Sequence, residues 1–142
     1  MAQGFTNIIG AAAVLAVLAV GGAQAAGNLA SKPTELKLAA NTAKLTFSQT
    51  KFDLETGKYY KLTVSSDGKE DLDLRAPDLW QNSWVNYLEV NDVDITVSGS
   101  FHIGFDSEGE AAVFFVPLRP GNYQFYAEGF QTRGLSATFS VR

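Results

Sequence analysis

Short runs in which every second side chain is apolar, each closed by a turn, constrain this chain more than any other feature. Lys44-Leu-Thr-Phe47 and Lys51-Phe-Asp-Leu54 alternate polar and apolar residues, and Tyr60, Leu62 and Val64 alternate along a third run. Period-two alternation over four to eight residues is the pattern of a half-buried strand. Thr56-Gly57 and Ser66-Asp67-Gly68 supply turns between these runs. Leu72 and Leu74 continue the alternation until Pro77 stops it. Val93 to Val97 and Ser100 to Ile103 read as further short strands, followed by a turn at Asp106-Ser-Glu-Gly109. Ala111 to Val116 is continuously apolar, which suits a strand buried on both faces. Arg119-Pro120-Gly121 is a strong turn signal, because Pro presets φ and Gly permits positive φ. Tyr123 to Tyr126 and Leu135 to Val141 close the chain as two more strands. The expectation is an all-β, Greek-key antiparallel sandwich of about eight strands.

Asp78 to Val90 breaks the pattern. Trp80, Trp84, Tyr87 and Leu88 fall at helical spacings, so a short helix or turn is expected there, with Asp78 capping its start. Either both tryptophans fill the core or one lies exposed on a docking face.

The start of the chain has a different composition. No charged residue precedes Lys32, and Ile8 to Val20 is an apolar run. Gly21-Gly22 breaks it, and Ala23-Gln-Ala25 has the small-x-small form of a signal-peptidase site. Residues 1–25 read as a secretory signal peptide cleaved after Ala25, or as an uncleaved apolar anchor helix. Residues 26–33 read as a linker and 34–142 as one domain. Export places the protein in the periplasm of a bacterium, with membrane contact only through residues 1–25 if they are retained.

Charge and residue types exclude several functions. The net charge of −4 argues against nucleic acid as a partner. The chain has no Cys, which removes disulfides, thiolate metal sites and Cys nucleophiles. The single imidazole is His102. No G-x-S-x-G elbow and no H-E-x-x-H is present, and Glu108 and Glu110 are two residues apart at a turn. The chain is therefore read as no enzyme. Lys32 to Lys69 holds seven Lys against four acids, whereas Glu70 to Glu110 holds ten acids against Arg75 alone. The acidic stretch is either a set of solvated loops or a face that steers a basic partner.

The C-terminal stretch reads Tyr123-Gln-Phe-Tyr-Ala127-Glu-Gly-Phe130-Gln-Thr-Arg-Gly134-Leu135, followed by an alternating strand. It resembles the cupredoxins of the plastocyanin type. These end in Tyr-x-Phe-x-Cys, then a His after two residues, then Gly-Met after a further loop. Laid on that pattern without a gap, Ala127 takes the Cys position, Phe130 the His position and Leu135 the Met position after a matching Gly134. Pro120-Gly-Asn-Tyr123 and Phe52 to Val64 resemble the family's framework further upstream. The likeness spans about Leu45 to Arg142.

The resemblance implies the family's sandwich, but not its metal. A blue-copper site needs a thiolate, two imidazoles and a weak axial thioether. The family's first His falls near Asp71 to Asp73, where this chain has none. Phe130 and Leu135 are expected to plug the space, and no cofactor is expected. In copper-bearing relatives an apolar patch beside the exposed His docks redox partners. The corresponding docking set here is Phe130, Gly129 and Leu135, with Trp80 or Trp84 nearby. The reading is a copper-free accessory subunit that binds a protein, such as a redox enzyme or cytochrome. A rival reading is a periplasmic carrier of copper or another cation through His102 and carboxylates such as Asp71, Asp73 and Asp78. A third, an anchored electron-transfer protein with an external cofactor, finds no C-x-x-C-H motif in support.

Overall fold

The computed structural model describes residues 31–142 apart from Asp92 and Ser98. The expected signal peptide, its cleavage point and most of the linker lie outside the described residues. Eleven strands form two sheets: β1 (Thr34–Asn41), β2 (Thr46–Phe47), β3 (Lys51–Leu54), β4 (Tyr60–Ser66), β5 (Leu72–Arg75), β6 (Ser83–Val90), β7 (Val93–Ile95), β8 (His102–Phe105), β9 (Gly109–Pro117), β10 (Gly121–Ala127) and β11 (Ser136–Val141). One sheet runs β2-β1-β4-β9-β6-β7 and the other β3-β11-β10-β5-β8.

The all-β sandwich is found, with two corrections. Among the described residues there are eleven strands rather than about eight. The sheets are also mixed: β1 runs parallel to β4 and β3 runs parallel to β11. Alternation reports which face a side chain takes and is silent on the direction of the neighbouring strand. The extra strands are short. Of Lys44 to Phe47 only Thr46–Phe47 is strand, because residues 42–45 turn through Leu45 at φ 53°.

Asp78 to Val90 divides into two elements. Helix α1 (Pro77–Gln81) has Ala76 at its cap position, with no side-chain cap bond. Pro77 opens the helix, as its fixed φ and missing N–H allow. Asp78 therefore does not cap the helix; it lies in the first turn, where its negative charge interacts favourably with the positive end of the helix dipole. From Ser83 the chain is strand. A bulge between Val85 and Tyr87 puts Trp84 and Tyr87 on one face, opposite Val116 and Phe114. That extra residue turns period two into a spacing of three, which imitates a helix.

The core lies between the sheets. Leu62, Val64, Val113, Phe115, Phe125, Leu135 and Phe139 are fully buried there. Trp80 projects from α1 into the gap, stacked on Phe101 at 4.9 Å and edge-on to Phe115 at 5.5 Å and Phe125 at 6.4 Å. The expected strand buried on both faces is the centre of β9. Ala111, Val113 and Phe115 face the core, while Ala112, Phe114 and Val116 form a second buried cluster with Tyr59 on the outer side.

Thr42, at the end of β1, is buried and bonded to the β4–β5 turn. Its N–H and its hydroxyl both donate to the Asp67 carboxylate, at 3.0 and 2.6 Å. The hydroxyl bond above all, then the backbone bond, holds the Asp67 pKa below its ordinary 3.8. A depressed carboxylate pKa adds stability above the unfolded value, and that stability is lost as pH falls through the folded value. Asp67→Asn should therefore lower the thermal midpoint at neutral pH. The gap from the parent protein should close as pH falls from the ordinary 3.8 through the lower folded value in a melting series.

Candidate functional site

The loop from Ala127 to Leu135 joins β10 to β11 at one end of the sandwich. Its backbone closes on itself. Ala127 N–H donates to Leu135 O at 3.0 Å, Phe130 N–H to Ala127 O at 3.0 Å, and Leu135 N–H to Phe130 O at 3.3 Å. The three positions that the sequence aligns with copper ligands are thus linked by direct hydrogen bonds. A 3-10 turn over Gln131–Arg133 fills the loop. Gly134 has φ 121°, and a Cβ there would lie 2.4 Å from Leu45 O, so the loop backbone presses on the β1–β2 turn. Glu128 N–H donates to Asp73 O at 2.8 Å, which ties the loop to β5.

Ala127 and Leu135 are fully buried in the core cluster, and Phe130 packs against that cluster half-buried. Across the Asp71–Asp73 segment, only Leu72 is buried, in the same cluster. None of Leu72, Ala127, Phe130 and Leu135 carries a side-chain donor atom for a metal. A blue-copper centre, which needs thiolate and imidazole, does not fit these positions.

The sequence-derived docking set is divided by the fold. Phe130 and Gly129 reach the surface at the loop, with Arg133 5.2 Å over the Phe130 ring. Leu135 is buried and offers no surface. Trp80 is 4% exposed and belongs to the core. Trp84 is 41% exposed, but it pairs with Val116 near the start of β4, at the other end of the sheet. The two tryptophans and Phe130 therefore do not share a face.

Acidic residues gather around the loop end instead. Asp71, Asp73, Asp106 and Glu128 line one depression, and Asp67, Glu108 and Glu110 line a second. The dense acidic stretch of the sequence supplies most of these through the β4–β5 and β8–β9 turns. Sequence reasoning missed Asp106 and Glu128 as members, because the strand pairing that joins them spans non-adjacent segments. Two of the rival metal-carrier residues, Asp73 and His102, lie beside other charged groups. Arg75 Nη2 lies 2.7 Å from Glu128 and 3.6 Å from Asp73, and His102 Nε2 lies 3.6 Å from Asp73. Asp78 is apart from them on α1. Among the described residues, no three His, Asp or Glu side chains are grouped to hold a metal ion.

No protein-family model matches the chain, and no curated protein matches it. Solved structures do. Copper nitrite reductase from Nitrosomonas europaea aligns with a TM-score of 0.62 at 8% identity, over 79% of this chain and 50% of that one. Auracyanin A, a "blue" copper protein from Chloroflexus aurantiacus, aligns at 0.53 and 10% identity, over 78% of this chain and 100% of its own. A multicopper oxidase from Campylobacter jejuni aligns at 0.55 and 8% identity, over 78% of this chain and 30% of that one. The chain thus matches the whole of the small copper protein but only a third to a half of the enzymes. At these identities the likeness concerns the fold, and the fold is a cupredoxin-like β-sandwich.

Proposed function

We propose that this cupredoxin-like sandwich is an exported, copper-free protein-binding module, an accessory subunit of a periplasmic or membrane redox complex, with no catalysis of its own. The observation that carries the reading is the state of the loop. Its backbone closure is intact, its ligand positions are apolar, and one aromatic ring, Phe130, stands half out of it. A closed loop with a protruding ring is a preorganised anchor, and such anchors carry most of the binding energy at protein interfaces. The acidic depressions beside it select a partner surface that is basic around an apolar pocket, as on a redox enzyme or cytochrome. They act on encounter rate and orientation more than on affinity.

The test is co-purification from the protein's own host membranes, with binding then measured on the captured partner. Phe130→Glu should weaken binding by about 100-fold, as loss of a central aromatic anchor does. Its melting temperature should stay close to that of the parent. Rising salt should slow association of the parent protein without abolishing it. Equal binding by Phe130→Glu would sink the reading.

A further inference from the structure

A second surface lies at the opposite end, where the described chain begins. Thr34 N–H donates to Tyr59 O at 2.9 Å, so β1 enters the fold beside Tyr59. The register carries this level across the sheet. Lys61 pairs with Phe114, Trp84 pairs with Val116, and Leu118 N–H donates to Asn82 O at 2.8 Å. The outer face at this end therefore carries Tyr59, Val116, Trp84 and Leu118. Trp84 and Leu118 are 41% and 56% exposed. They are two of the three exposed large apolar side chains among the described residues, the third being Ile95 on β7. Behind them Tyr87 stacks on Phe114 at 4.3 Å, and Lys61 lies over the same ring at 5.0 Å.

The entry end carries charges of both signs: Asp53 and Glu55 there are paired with Arg142 and Lys58, and Asp78 is exposed on α1. Lys32 and Arg119 are exposed at the entry end and have no ion-pair partner among the described residues. The acidic depressions sit at the loop end. An exposed Trp and Leu flanked by cations is the side-chain set of a membrane–water interface. The chain preceding this end has the matching composition: thirty residues without a charge, including the apolar run Ile8 to Val20. From Val20 to Ser31 the chain can span up to about 35 Å, enough to bring the entry end to a bilayer surface.

We propose that the entry end of the sandwich rests on a lipid surface, with Trp84 and Leu118 among the headgroups and Lys32 and Arg119 beside lipid phosphates. The proposal concerns the end away from Phe130 and does not depend on the partner reading. It is tested with the protein purified from cells expressing the full gene. That protein is mixed with phosphatidylcholine–phosphatidylglycerol vesicles whose acyl chains carry bromine near the headgroup.

Tryptophan emission should fall by about two-fold, since one of the two tryptophans reaches the interface. Trp84→Phe should remove the fall while leaving the melting temperature unchanged, because Trp80 is buried. Replacing both exposed residues, Trp84→Ser with Leu118→Ser, should release protein that binds vesicles without its first 25 residues. Emission that is unchanged by brominated lipid, with Trp84 equally open to aqueous acrylamide, overturns the proposal. So does shielding of Trp84 in lipid-free solution together with a doubling of mass, which assigns the face to a second copy of the chain.

Discussion

Gly68→Ala should be among the most damaging single changes in the domain, although it adds one methyl group at a turn. Gly68 has φ 62°, and a Cβ there would lie 2.0 Å from Glu108 N and 2.5 Å from Ser107 C. Those are backbone atoms of the β8–β9 turn, so no side chain can rotate aside. The conformational penalty and the overlap together should cost about 3 kcal/mol or more. That corresponds to a melting temperature lower by roughly 10–15 °C for a domain of this size. The turn is also the mount for Asp67, which holds Thr42 at the end of β1. Displacing it loosens β1, the β4–β5 turn and the β8–β9 turn together. Thermal melts followed by circular dichroism read the loss. A variant that melts within a degree or two of the parent would show that the two turns are not pressed together.

Trp80→Ala should cost about 3–5 kcal/mol, the range for removing a buried large aromatic side chain. The magnitude follows from where the ring sits. Phe115 belongs to one sheet and Phe125 to the other, and Trp80 is edge-on to both while stacked on Phe101. Its loss leaves a cavity between two sheets that cannot collapse without moving one of them. Trp84→Ala is the internal control. That ring is 41% exposed, and its removal should change stability by less than about 1 kcal/mol. Equilibrium denaturation of the pair separates the two outcomes, and equal losses would contradict the placement of Trp80.

The strands that sequence reads best are those with one wet face. Lys51–Leu54 is found at the stated residues, and Tyr60, Leu62 and Val64 all point inward. What the sequence cannot express is pairing. The parallel contacts of β1 with β4 and β3 with β11 join segments whose alternation is indifferent to direction. The bulge at Asn86 disguised β6 as helix, since one inserted residue moves Tyr87 onto the face of Trp84. The candidate site was legible as a spacing. The hydrogen bonds among Ala127, Phe130 and Leu135 give that spacing its geometric meaning. The separation of Trp84 from Phe130 was not legible, because it depends on which end of the sheet each strand begins.

The double burial of β9 also bears on how the chain reaches its fold. Ala111 to Val116 is a six-residue apolar segment without charge or proline, the composition that stacks into amyloid when left unpaired. Its partners, β4 and β6, lie far from it in sequence, and long-range pairing of this kind is slow to form. Glu110 before the segment and Pro117 after it act as gatekeepers, the charge and the missing N–H each interrupting strand addition at the segment's ends. The interval between synthesis and closure of the sandwich is thus the period of greatest aggregation hazard for this chain, and a holdase that shields a short apolar strand is the assistance its folding calls for.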